Sequence, residues 1–283
     1  MTDTVPATNR QWTIGNVVVT RVEEAVTDVP WFQLIPDVTA EHVVASQPWI
    51  DPFVTGEDAM RLSVHTFVVE ADDLTIVIDT CVGVDPARPL PSDELFADRL
   101  ADAIDGGLEA VDIVLCTHLH FDHVGWNTRI VDGERVPTFP NARYLFARTE
   151  LDYLDAHDDH DVRADAVQPL LDADLVDLID TDHQIADGVQ CVPTPGHTPG
   201  HVSVLIDSAG EQAVITGDAV HNPIQFAFPE LAATRFDWDS KQSTATRQDF
   251  IDRFAGALVL GTHFAEPTSG RIERDQEGRV TFQ

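Results

Sequence analysis

Basic residues are scarce in this sequence. Its 283 residues hold 17 basic against 49 acidic side chains, for a formal net charge of −32 and a pI near 4.3. The basic set is one lysine, Lys241, and sixteen arginines. Affinity for nucleic acid rests on cationic side chains that displace counterions from phosphates, so a polyanion partner is excluded. An anionic membrane surface is excluded for the same reason. Long apolar runs are missing too: no stretch approaches the roughly 18 residues of a membrane span, and MTDTVPATNR lacks the basic start and apolar run of a signal peptide. A soluble, cytoplasmic protein is expected. There are three cysteines, Cys81, Cys116 and Cys191. None stands in a C-x-x-C pair and the number is odd, which argues against a disulfide framework and for reduced, buried thiols.

What is present is ample material for a core, with 43 % hydrophobic residues. The acids are mostly aspartate, a poor helix former that favours caps and loops. Short β-like runs recur at 12–22, 62–69, 74–79, 111–117, 142–147, 189–192, 201–206, 213–216 and 258–262. Several, such as VDIVLCT, are apolar on nearly every residue, as suits a strand covered on both faces. Helical patterns lie between them. Ser92 is placed to cap a segment carrying Phe96, Leu100 and Ile104 at i, i+4 and i+8, and Thr149 precedes ELDYLDA in the same way. Strands first in hairpins and then mixed with helices predict a sheet-rich α/β sandwich. With no internal repeat and no low-complexity linker, 1–283 reads as a single domain. Residues 25–60 show no clean period and carry Trp31, Phe32, Leu34, Ile35, Trp49, Ile50 and Phe53 among four prolines. Such a stretch is a lid, a partner surface or a loop packed on the domain's own core.

The most informative segment is THLHFDHVG, with His118, His120, Asp122 and His123 within six residues after an apolar run. A strand end followed by a turn points His118 and His120 one way, while Asp122 and His123 turn toward a second point. That is geometry for two neighbouring metal positions, with donors suited to Zn²⁺ and also to Mn²⁺, Fe²⁺ or Co²⁺. Three later pieces follow the same plan: TPGHTPGH with His197 and His201, TGDAVH with Asp218, and GTHF with His263. Each polar residue stands at the C-terminal tip of an apolar run, where loops of an α/β scaffold converge.

With these motifs in this order over about residues 60–265, the sequence resembles the metallo-β-lactamase superfamily. The resemblance implies an αβ/βα sandwich of two mixed sheets flanked by helices. It also implies a first divalent ion on His118, His120 and His197, a second on Asp122, His123 and His263, and Asp218 bridging both. Asp79 matches the family's early strand-end aspartate, usually structural, and His201 a position that is generally not a direct ligand. His221 either faces the pocket or simply follows the strand end. His157, His160 and His183 read as a solvated polar face, and His42 and His65 have no partner nearby in sequence.

Two divalent cations about 3.5 Å apart can share a water and lower its pKa toward neutrality, leaving a bridging hydroxide as nucleophile. Asp122 is the candidate catalytic residue, orienting that nucleophile and passing its proton to the leaving group. Sister families narrow the substrate. Flavodiiron proteins carry Glu where this chain has His120, and zinc β-lactamases typically lack an aspartate at the position of Asp218. Glyoxalase II normally adds a basic C-terminal helical domain, whereas here GRIERDQEGRVTF reads as a terminal hairpin. RNase Z-like and β-CASP nucleases need basic substrate surfaces. The remaining likeness is to the branch of N-acyl homoserine lactonases and methyl parathion hydrolase, the second half (GDAVHNPIQF, FPELAATRFDWDS, LGTHFAEPTSG) being especially similar to the latter. Gly125 is followed by Trp126, where the family commonly has a second glycine.

The expected activity is hydrolysis of small neutral hydrophobic esters, above all lactones, with aryl phosphotriesters as a further substrate class. A glyoxalase II-like thioester hydrolase, a β-lactamase and a non-enzymatic metal-binding module are the alternatives. Trp126, His221, Phe226 and Phe228 lie close in sequence to the metal ligands and are expected to wall the substrate pocket, with the apolar 31–53 segment folded over them. That apolar loop makes a homodimer the expected assembly.

Two dications carry four positive charges against a total of −32, so most of the acid must be surface rather than site. Such a field repels anionic substrates and favours neutral ones. We expect adaptation to a salty medium: the melting temperature should rise between low salt and about 1 M KCl, where the Debye length is ~3 Å. A flat or falling melting curve across that range overturns this expectation.

Overall fold

The computed structural model describes residues 9–84, 89–158 and 160–283. Along the chain the strands are Arg10–Ile14 (β1), Val17–Pro30 (β2), Val54–Thr55 (β3), Ala59–Ala71 (β4), Leu74–Ile78 (β5), Ile113–Leu115 (β6), Thr128–Val131 (β7), Glu134–Pro137 (β8), Arg143–Ala147 (β9) and Val176–Ile179 (β10). They continue with Gln184–Ala186 (β11), Val189–Pro193 (β12), Val202–Ser208 (β13), Glu211–Ile215 (β14), Leu258–Leu260 (β15), Ser269–Arg274 (β16) and Val280–Phe282 (β17). The first sheet has the order β1-β2-β4-β5-β6-β9-β10 with β3 paired on β4, and the second runs β11 to β17 in chain order. β5, β6, β9 and β10 pair in parallel, as do β14 and β15. Parallel neighbours need crossovers: the helices Phe96–Ala103, Arg148–Ala156 and Ser240–Arg253 lie in those from β5 to β6, β9 to β10 and β14 to β15, and the one from β6 to β9 carries the β7–β8 hairpin.

The doubly apolar strands are explained by two separate cores. In β4 and β5, Phe67, Val69, Ile76 and Ile78 face the second sheet, where they meet Val189, Cys191, Val204, Ile206, Ala213 and Ile215. Their neighbours Val68 and Val77 face the other way, into a larger cluster that also holds Phe96, Leu100, Tyr144 and Phe146. Because side chains alternate along a strand, an uninterrupted apolar run feeds both layers. The expected sandwich of two mixed sheets with helices outside is thus the observed one, and the C-terminal hairpin is β16–β17.

Several local expectations need correction. The run 12–22 is a hairpin, since Ile14 pairs with Val17 across a two-residue turn in which Gly15 has φ +57°. The segment 25–60 is more regular than its sequence pattern. Its start belongs to β2, paired with β4 as far as Pro30 and Ala59. Short helices Trp31–Leu34 and Ala40–Ala45 follow, and Trp31, Ile35, Val43, Ile50 and Phe53 are buried in the larger core. His42 is not alone: its Nδ1 accepts from the Thr39 N–H at 3.1 Å and its ring lies 4.6 Å from that of Phe228. His65 bonds Ser63 Oγ at 2.8 Å. Asp93 rather than Ser92 closes the start of the helix Phe96–Ala103, accepting from the Leu95 N–H at 2.9 Å. Thr149 lies inside the helix Arg148–Ala156 instead of capping it.

A Cβ on Gly15 would lie 2.2 Å from the Ser208 carbonyl oxygen, so this turn packs backbone to backbone against the end of β13. Gly15→Ala combines a disfavoured φ with that clash and is expected to cost about 2–3 kcal/mol. Urea unfolding measures it, and an unchanged midpoint would contradict the packing described.

Candidate metal centre

β12, β14 and β15 all point the same way, and the segments that leave their C-terminal ends carry His197, Asp218 and His263. The segment leaving β6 in the facing sheet carries His118 to His123, and it is joined to the second sheet by the Val202 N–H bonding the Thr117 carbonyl at 3.0 Å. The four strand tips therefore converge. The two oxygens of Asp218 face different partners: Oδ1 lies 3.3 Å from His123 Nε2 and 3.2 Å from His263 Nε2. Oδ2 lies 3.4 Å from His197 Nε2, 3.2 Å from His221 Nε2 and 3.9 Å from His118 Nε2. His120 Nδ1 is 2.9 Å from His197 Nε2, and Asp122 Oδ2 is 3.5 Å from His263 Nε2.

These donors form overlapping sets with the spacing of metal ligands: His118, His120 and His197; Asp122, His123 and His263; His118, His123 and Asp218; and His197, Asp218 and His221. The buried atoms His118 Nε2, His123 Nε2 and Asp218 Oδ1 have no hydrogen-bond partner, which an interior tolerates poorly unless something else satisfies them. Imidazole and carboxylate donors left open in this way fit divalent cations, zinc foremost.

The opposite ring nitrogens are held from outside. His123 Nδ1 bonds Asp79 Oδ2 at 2.8 Å, and Asp79 is fixed in turn by the Thr117 N–H at 2.7 Å and the Thr117 hydroxyl at 2.8 Å. His197 Nδ1 bonds Asp237 Oδ1 at 3.1 Å, and His263 Nδ1 bonds the Ser63 carbonyl at 2.9 Å. Such outer partners set which nitrogen carries the proton and where the ring points. Burial, with the neighbouring imidazoles, holds His118 and His120 well below the ordinary histidine value, the neutral state that coordination requires. Burial pushes His201 down to about 3, and its neutral Nε2 accepts the Asp218 N–H at 2.7 Å. His201 therefore supports the site from outside. For Asp218, burial opposes the charge, yet His123, His263 and His221 hold the carboxyl well below the usual carboxylate range.

A cavity of about 240 Å³ opens over the cluster. Its apolar wall includes Val29, Leu34, Leu62, Leu119, Phe121 and Phe236, and His221 faces it as well. The remaining expected wall residues do not line it. Trp126 is buried beside Phe96, with ring centroids 5.9 Å apart, and donates its Nε1–H to Glu24 at 2.7 Å. Phe226 is buried in an aromatic cluster with Phe250, Phe264 and Phe282, and Phe228 rests on His42. Large rings beside the ligands in sequence are drawn to the core because burial stabilises them more than an open wall would. Conversely, His157 and His160 do line the cavity, packed on Tyr153 and Phe121, rather than forming only a solvated face. Tyr153, Phe236 and Asp237 were not among the expected site residues, although Phe236 and Asp237 lie in the segment FPELAATRFDWDS. Phe121 lies within the His118–His123 motif and could have been found there.

Paired buried imidazoles and carboxylates at the strand tips of a two-sheet sandwich define a metal-dependent hydrolase. The chain belongs to the metallo-β-lactamase superfamily, whose model matches residues 59–263. An N-acyl homoserine lactonase from a Bacillus species is 26 % identical over 252 residues, covering 82 % of this chain and 94 % of the relative. The N-acyl homoserine lactonase AiiA of Bacillus thuringiensis subsp. kurstaki is 26 % identical over 243 residues, covering 79 % and 90 %. Among solved structures, the hydrolase AbOPH of the β-lactamase superfamily superposes with a TM-score of 0.79 at 23 % identity, over 99 % of this chain and 98 % of that one. AidC, a dizinc quorum-quenching lactonase in complex with a product, gives 0.76 at 19 % identity, over 97 % and 96 %. These two likenesses show the fold.

Removing the carboxylate behind His197 should loosen that ring. Asp237→Ala is expected to weaken zinc binding by about 10–100-fold, measured by chelator competition. Unchanged affinity would mean that Asp237 does not orient His197.

Proposed function

We propose that this protein is a dinuclear metal-dependent lactonase acting on neutral, hydrophobic lactones and esters, with aryl phosphotriesters as a secondary substrate class. The observation that carries the reading is Asp218, whose two oxygens face separate imidazole sets beneath a cavity with an apolar wall. His118, His120 and His197 would hold one ion, Asp122, His123 and His263 would hold the other, and Asp218, standing between the two sets, would serve both. Bound there, divalent ions supply Lewis acidity toward the substrate carbonyl and an activated water. The chain's own residues do the rest. Asp122, partly exposed to the cavity, holds the proton released by the attacking water and returns it to the leaving alkoxide. Leu34, Leu119, Phe121 and Phe236 take the alkyl or aryl part of the ester and exclude water from it. The net charge of −32 disfavours anionic thioesters and β-lactam carboxylates, in keeping with the lactonase activity of the relatives.

Protein loaded with Zn²⁺, Mn²⁺ or Co²⁺ and assayed on acyl-homoserine lactones, aryl lactones, paraoxon-type triesters, S-lactoylglutathione and nitrocefin should turn over lactones fastest. Turnover confined to the thioester rejects the proposal. In the same preparations, Asp218→Ala and His263→Ala should lower bound metal from two per chain toward one and cut turnover by more than about 100-fold. Elemental analysis finding an unchanged count in both variants sinks the dinuclear assignment.

A further inference from the structure

Glu150 is a buried carboxylate with no arginine, lysine or histidine partner among the ion pairs of the described residues. An uncompensated buried charge is costly, so its hydrogen bonds must justify the position. It lies in the first turn of the helix Arg148–Ala156 and lines the cavity. Its Oε2 accepts the Leu119 N–H at 3.3 Å and its Oε1 the Gly200 N–H at 2.6 Å. Leu119 stands between His118 and His120, and Gly200 is three residues beyond His197. One carboxylate therefore spans both chain segments that carry the three imidazoles of the first group. The fit leaves no slack: a Cβ on Gly200 would lie 2.8 Å from the Glu150 backbone nitrogen and 3.0 Å from its Oε1. Two members of the second group have outer partners of their own, His123 on Asp79 and His263 on the Ser63 carbonyl.

We propose that Glu150 is the positioning residue of the first metal position, fixing the distance between the His118–His120 segment and His197 without itself being a metal ligand. Burial raises its carboxyl above the ordinary value, while the Thr198 side chain, the Gly200 and Leu119 N–H groups and nearby His197 favour the charge; the two amides are the contacts that tie it to the ligand-bearing segments. Gln at this position offers one acceptor for two N–H donors, and Asp is one methylene too short to reach both. This inference rests on the dinuclear reading above and concerns only how one half of that site is kept in shape.

The test is stepwise Zn²⁺ titration of the metal-free full-length protein against a chromophoric chelator, with thermal melting of the same metal-free samples. Glu150→Gln and Glu150→Asp should each weaken one of the two zinc affinities by about 10–100-fold, leave the other within about twofold, and melt close to the wild type. Equal weakening of both affinities together with a large fall in melting temperature would show a merely structural role and overturn the proposal. So would two unchanged affinities. Should the wild type itself fail to take up two zinc ions, it is the dinuclear reading that falls, whatever the variants do.

Discussion

A single carboxylate, Asp218, stands among the imidazoles of His118, His123, His197, His221 and His263. Bringing that many polar rings into an interior is unfavourable unless each nitrogen has a use. For three of them the surroundings divide the labour: an outer nitrogen of His123, His197 and His263 is tied to Asp79, Asp237 and the Ser63 carbonyl, and their inner nitrogens face the carboxylate. This arrangement requires strand tips from both sheets to end at the same place. It also requires the loops beyond them to be short and braced, which explains why buried Glu150 and His201 lie just outside the cluster.

Much of this was legible in the sequence, and for a definite reason. Apolar runs on every residue signal strands buried on two faces, and β4, β5, β13 and β14 are such strands. The ligand candidates were readable because each follows such a run at a short fixed offset. Residues whose role depends on a distant partner were not readable. Asp237 looks like one more surface acid in FDWDS until the fold brings it to His197, and Glu150 sits in a helix whose pattern is that of an exposed face. The cavity walls failed most clearly. Proximity in sequence suggested Trp126 and Phe226, but the helix Ile224–Ala227 turns Phe226 toward Phe250 and Phe282, where it gains contacts on all sides. Residues 25–60 were misread in part because pairing with β4, a tertiary event, decides that Ala25 to Pro30 are strand.

Charge and cavity act at different ranges on the same substrate. Acids spread over the surface set a long-range field that a salt solution attenuates, whereas the wall of Leu34, Leu119, Phe121 and Phe236 acts only on contact. A neutral ester with an apolar tail meets no penalty at either range. On the proposed reading, an anionic one would be disfavoured before it reaches the cavity.

The centre is built from both halves of the sandwich. His118, His120, Asp122 and His123 leave the first sheet, and His197, Asp218 and His263 leave the second. Other links join the sheets at this edge: the Val202 N–H bonds the Thr117 carbonyl, the Ser63 N–H bonds the His263 carbonyl at 3.1 Å, and Leu62 bridges Phe264. On the proposed reading, ions engaging all seven side chains would bind only the closed sandwich, and by mass action would stabilise the fold in proportion to the logarithm of their concentration. On that reading, metal supply would govern how much of the protein stays folded as well as how much of it works.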